Sequence, residues 1–122
     1  MCKIIDRDTL LERCMGQRAI MQSVLTKFRE CAEDILRQIE VNVEQRQWQG
    51  VSSRAHTLKG AARGIAAEHL GDLAEAMERN ARLGDSDACR ELETQLQHEF
   101  HQCLEEIIAI LHESKGAHKT DV

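Results

Sequence analysis

Apolar residues recur along this chain at steps of three and four, the spacing that puts them on one face of an α-helix. The longest early run carries Ile20, Val24, Phe28, Cys31, Ile35, Leu36, Ile39 and Val43 in phase, and predicts a helix over about Arg18 to Val43. The polar stretch Glu44 to Gln47 breaks it. Trp48, Val51, Ala55, Leu58, Ala62 and Ile65 then form a second stripe, predicting a helix over about Trp48 to Ile65. Leu70, Leu73, Ala74, Met77 and Ala81 form a third, over about Glu68 to Leu83. Leu83-Gly84-Asp85 reads as a helix stop followed by a fresh cap, the clearest punctuation in the chain. Beyond it, Cys89, Leu92, Leu96, Phe100, Cys103, Ile107 and Leu111 mark a last helix, about Asp87 to His112. Ahead of all these, a short helix over about Asp8 to Met15 lies between a capping aspartate and Gly16.

Four long amphipathic helices with short connections bury their stripes most simply in one core. The predicted fold is therefore all-α: an antiparallel up-down four-helix bundle, with the short N-terminal helix across one end. The absence of proline, with seven glycines in 122 residues, speaks against an all-β chain. The length suits one domain. Residues 1–113 are assigned to the bundle and 114–122 to a polar, disordered tail.

Charge and composition narrow the function. A formal charge of −5, without a basic run or stacking aromatics, repels a phosphate backbone and argues against nucleic-acid binding. The longest purely apolar run, Ile107 to Leu111, falls far short of the ~20 residues of a membrane span. An acid at position 6 interrupts any signal-peptide core. A cytoplasmic, monomeric protein is expected. The five cysteines, Cys2, Cys14, Cys31, Cys89 and Cys103, contain no Cys-x-x-Cys pair. Cys31, Cys89 and Cys103 fall on apolar stripes and are expected to be reduced, buried thiols. Trp48 is read as an end-cap of the core.

The third helix carries the candidate chemistry. Gly60 and Gly64 sit in its interior, where each costs roughly 1 kcal/mol relative to alanine. With Ala55, Leu58, Ala62 and Ile65 turned inward, His56, Lys59, Gly60 and Arg63 share another stripe at i, i+3, i+4 and i+7. Ser52 and Ser53 extend that stripe one turn back. A neutral imidazole is a competent nitrogen nucleophile. Lys59 and Arg63 are placed to stabilise phosphoryl oxygens arriving on it, and Gly60 leaves a gap for another protein's active site. A surface histidine beside a lysine is commonplace, so spacing alone does not assign His56 a role.

Ala55-His56-Thr57-Leu58-Lys59-Gly60-Ala61-Ala62 resembles the signature of histidine-containing phosphotransfer (HPt) domains of bacterial two-component phosphorelays. Leu70, Leu73, Ala74, Met77-Glu78, Ala81-Arg82 and Gly84-Asp85 follow at that family's spacing. The resemblance implies a four-helix bundle that carries a phosphoryl group without binding ATP and without kinase activity of its own. His56 matches the phosphorylated histidine. Lys59 and Gly60 match positions that steady the phosphoryl group and admit a receiver domain. Glu78 falls where the family has a Gln or Glu bonded to the other imidazole nitrogen. Ser52, Ser53, Lys59, Gly60 and Arg63 would form the partner contact. The implied partners are receiver domains of response regulators or hybrid sensor kinases. No cofactor is implied for this chain, with Mg²⁺ held by the receiver. Gly64, where many members have Asn, and Ala66, where many have Gly, depart from the pattern at the turn that ends the third helix.

Three other readings stand beside it. A glutamate at position 78 is also similar to the phosphotransfer domain of chemotaxis-type kinases. A binding-only helical adaptor would keep the face without the chemistry. His98, His101 and Cys103, with His112 further along, are the one cluster that suggests a metal, although a zinc site wants more ligands in closed geometry.

Overall fold

A computed structural model describes residues 4–120, with side chains described for residues 4–113. Five helices follow in order: α1 (Arg7–Arg13), α2 (Arg18–Glu44), α3 (Trp48–Gly64), α4 (Glu68–Arg82) and α5 (Ser86–Thr120). No strand occurs among the described residues. α2 packs against α3 and α5, and α4 packs against the same two, so four helices close a ring around one core. At ~1.5 Å per residue, the 27 residues of α2 make it about 40 Å long, enough to flank the full height of that ring.

Each of the first four helices ends in the same way. After α1, Gly16 N–H donates to Leu11 C=O (2.8 Å) and Met15 N–H to Glu12 C=O (2.9 Å). The same pair of bonds recurs as Gln47 to Asn42 (2.8 Å) and Arg46 to Val43 (3.1 Å), as Ala67 to Ala62 (2.9 Å) and Ala66 to Arg63 (3.0 Å), and as Asp85 to Asn80 (3.1 Å) and Gly84 to Ala81 (3.0 Å). These are Schellman closures, which return stray carbonyls to the chain and require a left-handed residue. That residue is Met15 (φ 56°), Arg46 (φ 56°), Ala66 (φ 61°) and Gly84 (φ 69°) in turn. Only the last is a glycine, so only there did the left-handed residue itself mark the stop. Ala66 completes its turn despite its departure from the family pattern. At the other ends, Asp6 caps α1 by accepting from Thr9 N–H (3.1 Å), and Asp85 caps α5 by accepting from Ala88 N–H (3.1 Å).

The core lies on the predicted stripes in α3, α4 and α5 and is rotated in α2. Val51, Ala55, Leu58, Ala62 and Ile65 are buried, as are Leu70, Ala74, Met77, Ala81, Cys89, Leu96, Phe100, Cys103 and Ile107. In α2 the buried line is Met21, Leu25, Phe28, Ala32, Leu36, Ile39 and Val43. Ile20, Val24 and Ile35 are only partly buried, and Cys31 is exposed, contrary to expectation. Phe28 is common to both lines, and its ring meets Phe100 of α5 at 6.4 Å between centroids, within the range of favourable aromatic pairs. Ala32, one turn on, faces inward and Cys31 lies outside. Cys14, Cys89 and Cys103 are buried free thiols, and burial pushes the Cys103 thiol up to about 12, which leaves it unreactive. Cys2 lies outside the described residues.

α1 ties down one end of the ring. Asp6 N–H donates to Ala66 C=O (3.0 Å), Arg13 donates to Arg63 C=O (2.5 Å), and Arg7 pairs with Glu106 (2.9 Å) and Glu113 (2.6 Å) of α5. α5 continues to Thr120, past the end at His112 that its stripe predicts. The side chains of the expected tail, from position 114 on, lie outside the described residues.

Arg46 is exposed and Ala66 is buried, so glycine at these two left-handed positions should act differently. Arg46→Gly is expected to raise unfolding stability by about 1 kcal/mol, the steric cost of a left-handed non-glycine residue. Ala66→Gly is expected to be nearly neutral, because the lost burial of one methyl, about 0.8 kcal/mol, offsets the same relief. Urea titration of both variants checks this.

Candidate functional site

The site is built where α3 meets α4. Small buried residues, Ala55 and Ala62 on one side and Gly71, Ala74 and Ala81 on the other, let the two helices approach closely. A side chain on the flank of the α4 stripe then reaches α3. Glu78 follows Met77 and Ala74 of the core line and is only 4% exposed.

Taking a carboxylate out of water is costly unless charged donors replace the lost hydration. Glu78 has three. Lys59 Nζ donates to Oε1 (3.0 Å), His56 Nδ1 lies 3.0 Å from Oε2, and Arg82 donates to that same Oε2 (2.7 Å). The Lys59 hydrogen bond is the main cause holding the Glu78 carboxyl below its ordinary value; burial opposes it, and the His56 bond adds to it. A carboxylate accepts and does not donate, so its contact with Nδ1 places the imidazole proton there. Nε2 keeps its lone pair. The His56 side chain is 65% exposed against 6% for Glu78, so one nitrogen is anchored inside and the ring projects outward.

The structure brings together His56, Lys59 and Glu78 among the sequence candidates. Gly60 is exposed, and a Cβ built on it meets nothing within 4 Å. No packing within the chain explains a glycine there. Gly64 is equally open.

Arg63 is occupied elsewhere. Its guanidinium pairs with Asp72 (3.3 Å) and Glu75 (3.2 Å) of α4, and its stem crosses Gly71, where a Cβ would lie 2.9 Å from Arg63 Cγ. It clamps α3 to α4 two turns from His56. Ser52 and Ser53 line a cleft of about 460 Å³ between the start of α3 and the end of α4, together with Trp48, Gln49, Ala81 and Arg82. Trp48 packs partly on the core, as expected of an end-cap, and also forms a wall of this cleft.

By sequence, Arg82 falls only at the family's spacing beside Ala81; here it forms an i,i+4 pair with Glu78 within α4. That the same carboxylate oxygen also faces His56 of α3 is what a helical wheel of α4 alone does not reveal. With Glu78 negative and Lys59 and Arg82 positive, the cluster around a neutral His56 carries one net positive charge, on a chain whose formal charge is −5. An anion is drawn to this patch in particular.

The described histidines of α5, His98, His101 and His112, assemble no comparable site. His98 Nε2 is hydrogen-bonded to Gln102 (3.1 Å) and Cys103 is buried in the core. Among the described residues, no group of three or more His, Cys, Asp or Glu is placed to hold a metal ion. Nor is any helix among them long and apolar enough to cross a membrane.

A lowered carboxyl value makes the stability contributed by Glu78 dependent on pH. That contribution is complete above the ordinary glutamate value of about 4.3 and is lost as pH falls through the lower value of the folded state. The stability gap between wild type and Glu78→Gln should therefore be widest near neutrality and shrink on acidification from pH 5 to about pH 3. Denaturant titrations across that range test it; a gap that grows on acidification contradicts the assignment.

Comparison with known proteins identifies the family and the fold. Residues 23–110 match the family model described as Hpt domain. The fold is similar to that of histidine-containing phosphotransfer protein B (HptB) from Pseudomonas aeruginosa PAO1, with a TM-score of 0.82 and 21% identity over 94% of this chain and 97% of that one. It is also similar to a histidine-containing phosphotransfer protein described as putative, from rice, with a TM-score of 0.80 and 18% identity over 89% and 80% of the respective chains. No curated protein matches the sequence. The matched region takes in α3, α4 and every residue of the His56–Glu78 cluster, and on that basis the chain belongs to the Hpt domain family.

Proposed function

We propose that this protein is a histidine phosphocarrier, an antiparallel up-down four-helix bundle that takes a phosphoryl group from a receiver-domain aspartate onto His56 and passes it to a second receiver aspartate. The observation that carries this reading is the 3.0 Å contact between His56 Nδ1 and the buried Glu78, which leaves Nε2 as the exposed nucleophile.

In the first step the Nε2 lone pair attacks the phosphorus of an aspartyl phosphate in line. The N–P bond forms as the P–O bond to the aspartate breaks, and the carboxylate departs with that bonding pair. The proton on Nδ1 stays in place, so the ring gains positive charge, and Glu78 sits 3.0 Å away to stabilise it. The second step reverses these events toward another aspartate. Lys59 donates one ammonium N–H to Glu78 in a hydrogen bond and has two more to offer a phosphoryl oxygen. Mg²⁺ belongs to the receiver in this scheme, and the carrier needs no ATP site. The partner contact centres on Lys59 and Gly60, with Ser52 and Ser53 beside them. Arg63 contributes by fixing α4 against α3. We place the protein in the cytoplasm, as a monomer.

The same histidine in a chemotaxis-type kinase would be filled by an ATP-binding domain elsewhere in the protein, and transfer from a phosphorylated receiver separates that reading from this one. His56→Gln is expected to abolish labelling by a phosphorylated receiver while circular dichroism shows unchanged helicity, because the side chain is mostly exposed. Wild-type label should be acid-labile and alkali-stable. Retained label in the variant, or a wild type that takes none from a panel of receivers, overturns the proposal and leaves a binding-only adaptor.

Gly60→Ala separates docking from folding. Alanine is expected to raise stability by roughly 0.5–1 kcal/mol, since nothing within the chain opposes its Cβ. It should also slow receiver-dependent transfer by about tenfold or more. A variant both more stable and equally fast removes the reason assigned to Gly60.

A further inference from the structure

The cleft between α3 and α4 lies one helical turn from His56 and shares Arg82 with the histidine's own network. None of its lining residues is acidic, although the chain as a whole carries an excess of acids. Arg82 is 68% exposed and spends one donor on Glu78. A guanidinium has five N–H donors in a planar fork, and the others have no partner among the described residues. Gln49 and Ser53 are exposed at the rim, with Ser52 half-buried between them. Trp48 supplies a flat apolar wall. Arg82 shares the single negative charge of Glu78 with Lys59, so the guanidinium keeps part of its positive charge for the cleft.

Resting on the phosphocarrier reading, we propose that this cleft seats an acidic side chain of the docked receiver domain, held by the unspent donors of Arg82 and the polar rim of Gln49 and Ser52. The two contacts then have different tasks. The His56 cluster performs the chemistry that any aspartyl phosphate requires, while the cleft selects among receivers by whether they present an acid at that distance from their phosphorylated aspartate. A charge at such a rim changes the rate of productive encounter and its salt dependence more than the chemical step.

Gln49 tests this because it touches none of the groups around His56 and is exposed in the first turn of α3. Gln49→Glu and Gln49→Lys are compared with wild type, using as phosphodonor the receiver domain that labels wild type fastest. Gln49→Glu is expected to lower the apparent second-order transfer rate at least about threefold at low ionic strength, and Gln49→Lys to raise it, both effects shrinking in high salt. Labelling by phosphoramidate, which needs no receiver, should be the same in all three proteins. Since the chain has one tryptophan, incorporated 5-fluorotryptophan gives a single ¹⁹F resonance, which should shift as unphosphorylated receiver is added.

Transfer rates unaffected by either charge, or an unmoved resonance during efficient transfer, overturn the cleft while leaving the phosphocarrier intact. Equal slowing by both variants shows that loss of the Gln49 amide rather than the sign of the charge matters, and overturns it too. A wild type that no receiver labels overturns the underlying reading, and the cleft with it.

Discussion

One buried carboxylate organises the functional end of this molecule. Glu78 is held between three cationic or proton-donating groups from two helices, and each depends on it. It fixes which imidazole nitrogen carries the proton, draws Lys59 beside the histidine, and leaves Arg82 at the mouth of the neighbouring cleft. An isolated carboxylate at that depth would be strongly unfavourable. Three charge-assisted hydrogen bonds make it tolerable, and in the proposed function the same bonds prepare the nucleophile. Stability and reactivity therefore meet in one group.

That arrangement needs α3 and α4 close together, and the sequence achieves this with small side chains. Ala55, Ala62, Ala74 and Ala81 line the buried contact, and Gly71 lets the Arg63 stem cross α4 without a collision. Arg63 then fastens the pair through Asp72 and Glu75. A bulkier seam would move Glu78 out of reach of His56, and a contact made at 3.0 Å does not survive a displacement of an ångström. Gly60 faces the other way, into open space. Gly71 serves packing within the chain, and Gly60 serves none among the described residues, which fits the docking role proposed for it.

Much of this was legible in the sequence because helical period and helix-face spacing are local properties. The stripes of α3, α4 and α5 appear where their apolar residues repeat, and His56, Lys59 and Gly60 fall on one face by arithmetic alone. What escaped depends on the third dimension. The rotation of α2 is set by its packing against α3 and α5, between residues far apart in sequence, and it carries Cys31 to the surface. The turns at Arg46 and Ala66 use left-handed residues without glycine, so their geometry is not announced, although the polar stretch Glu44 to Gln47 marked the first as a break. Arg63 shares the stripe of His56 but is captured by acids of α4. Arg82 has the opposite history, a surface arginine by spacing that the fold turns into a partner of the central carboxylate.

The central claim is that Glu78 reserves Nε2 of His56 for the phosphoryl group. The most direct measurement is the attachment site itself, read by ³¹P and ¹⁵N NMR on protein labelled at its imidazole nitrogens and phosphorylated with phosphoramidate. The account predicts a single N–P bond, at Nε2 of His56, with the proton retained on Nδ1. A phosphoryl group on Nδ1 of His56, or on any other histidine of the chain, contradicts it.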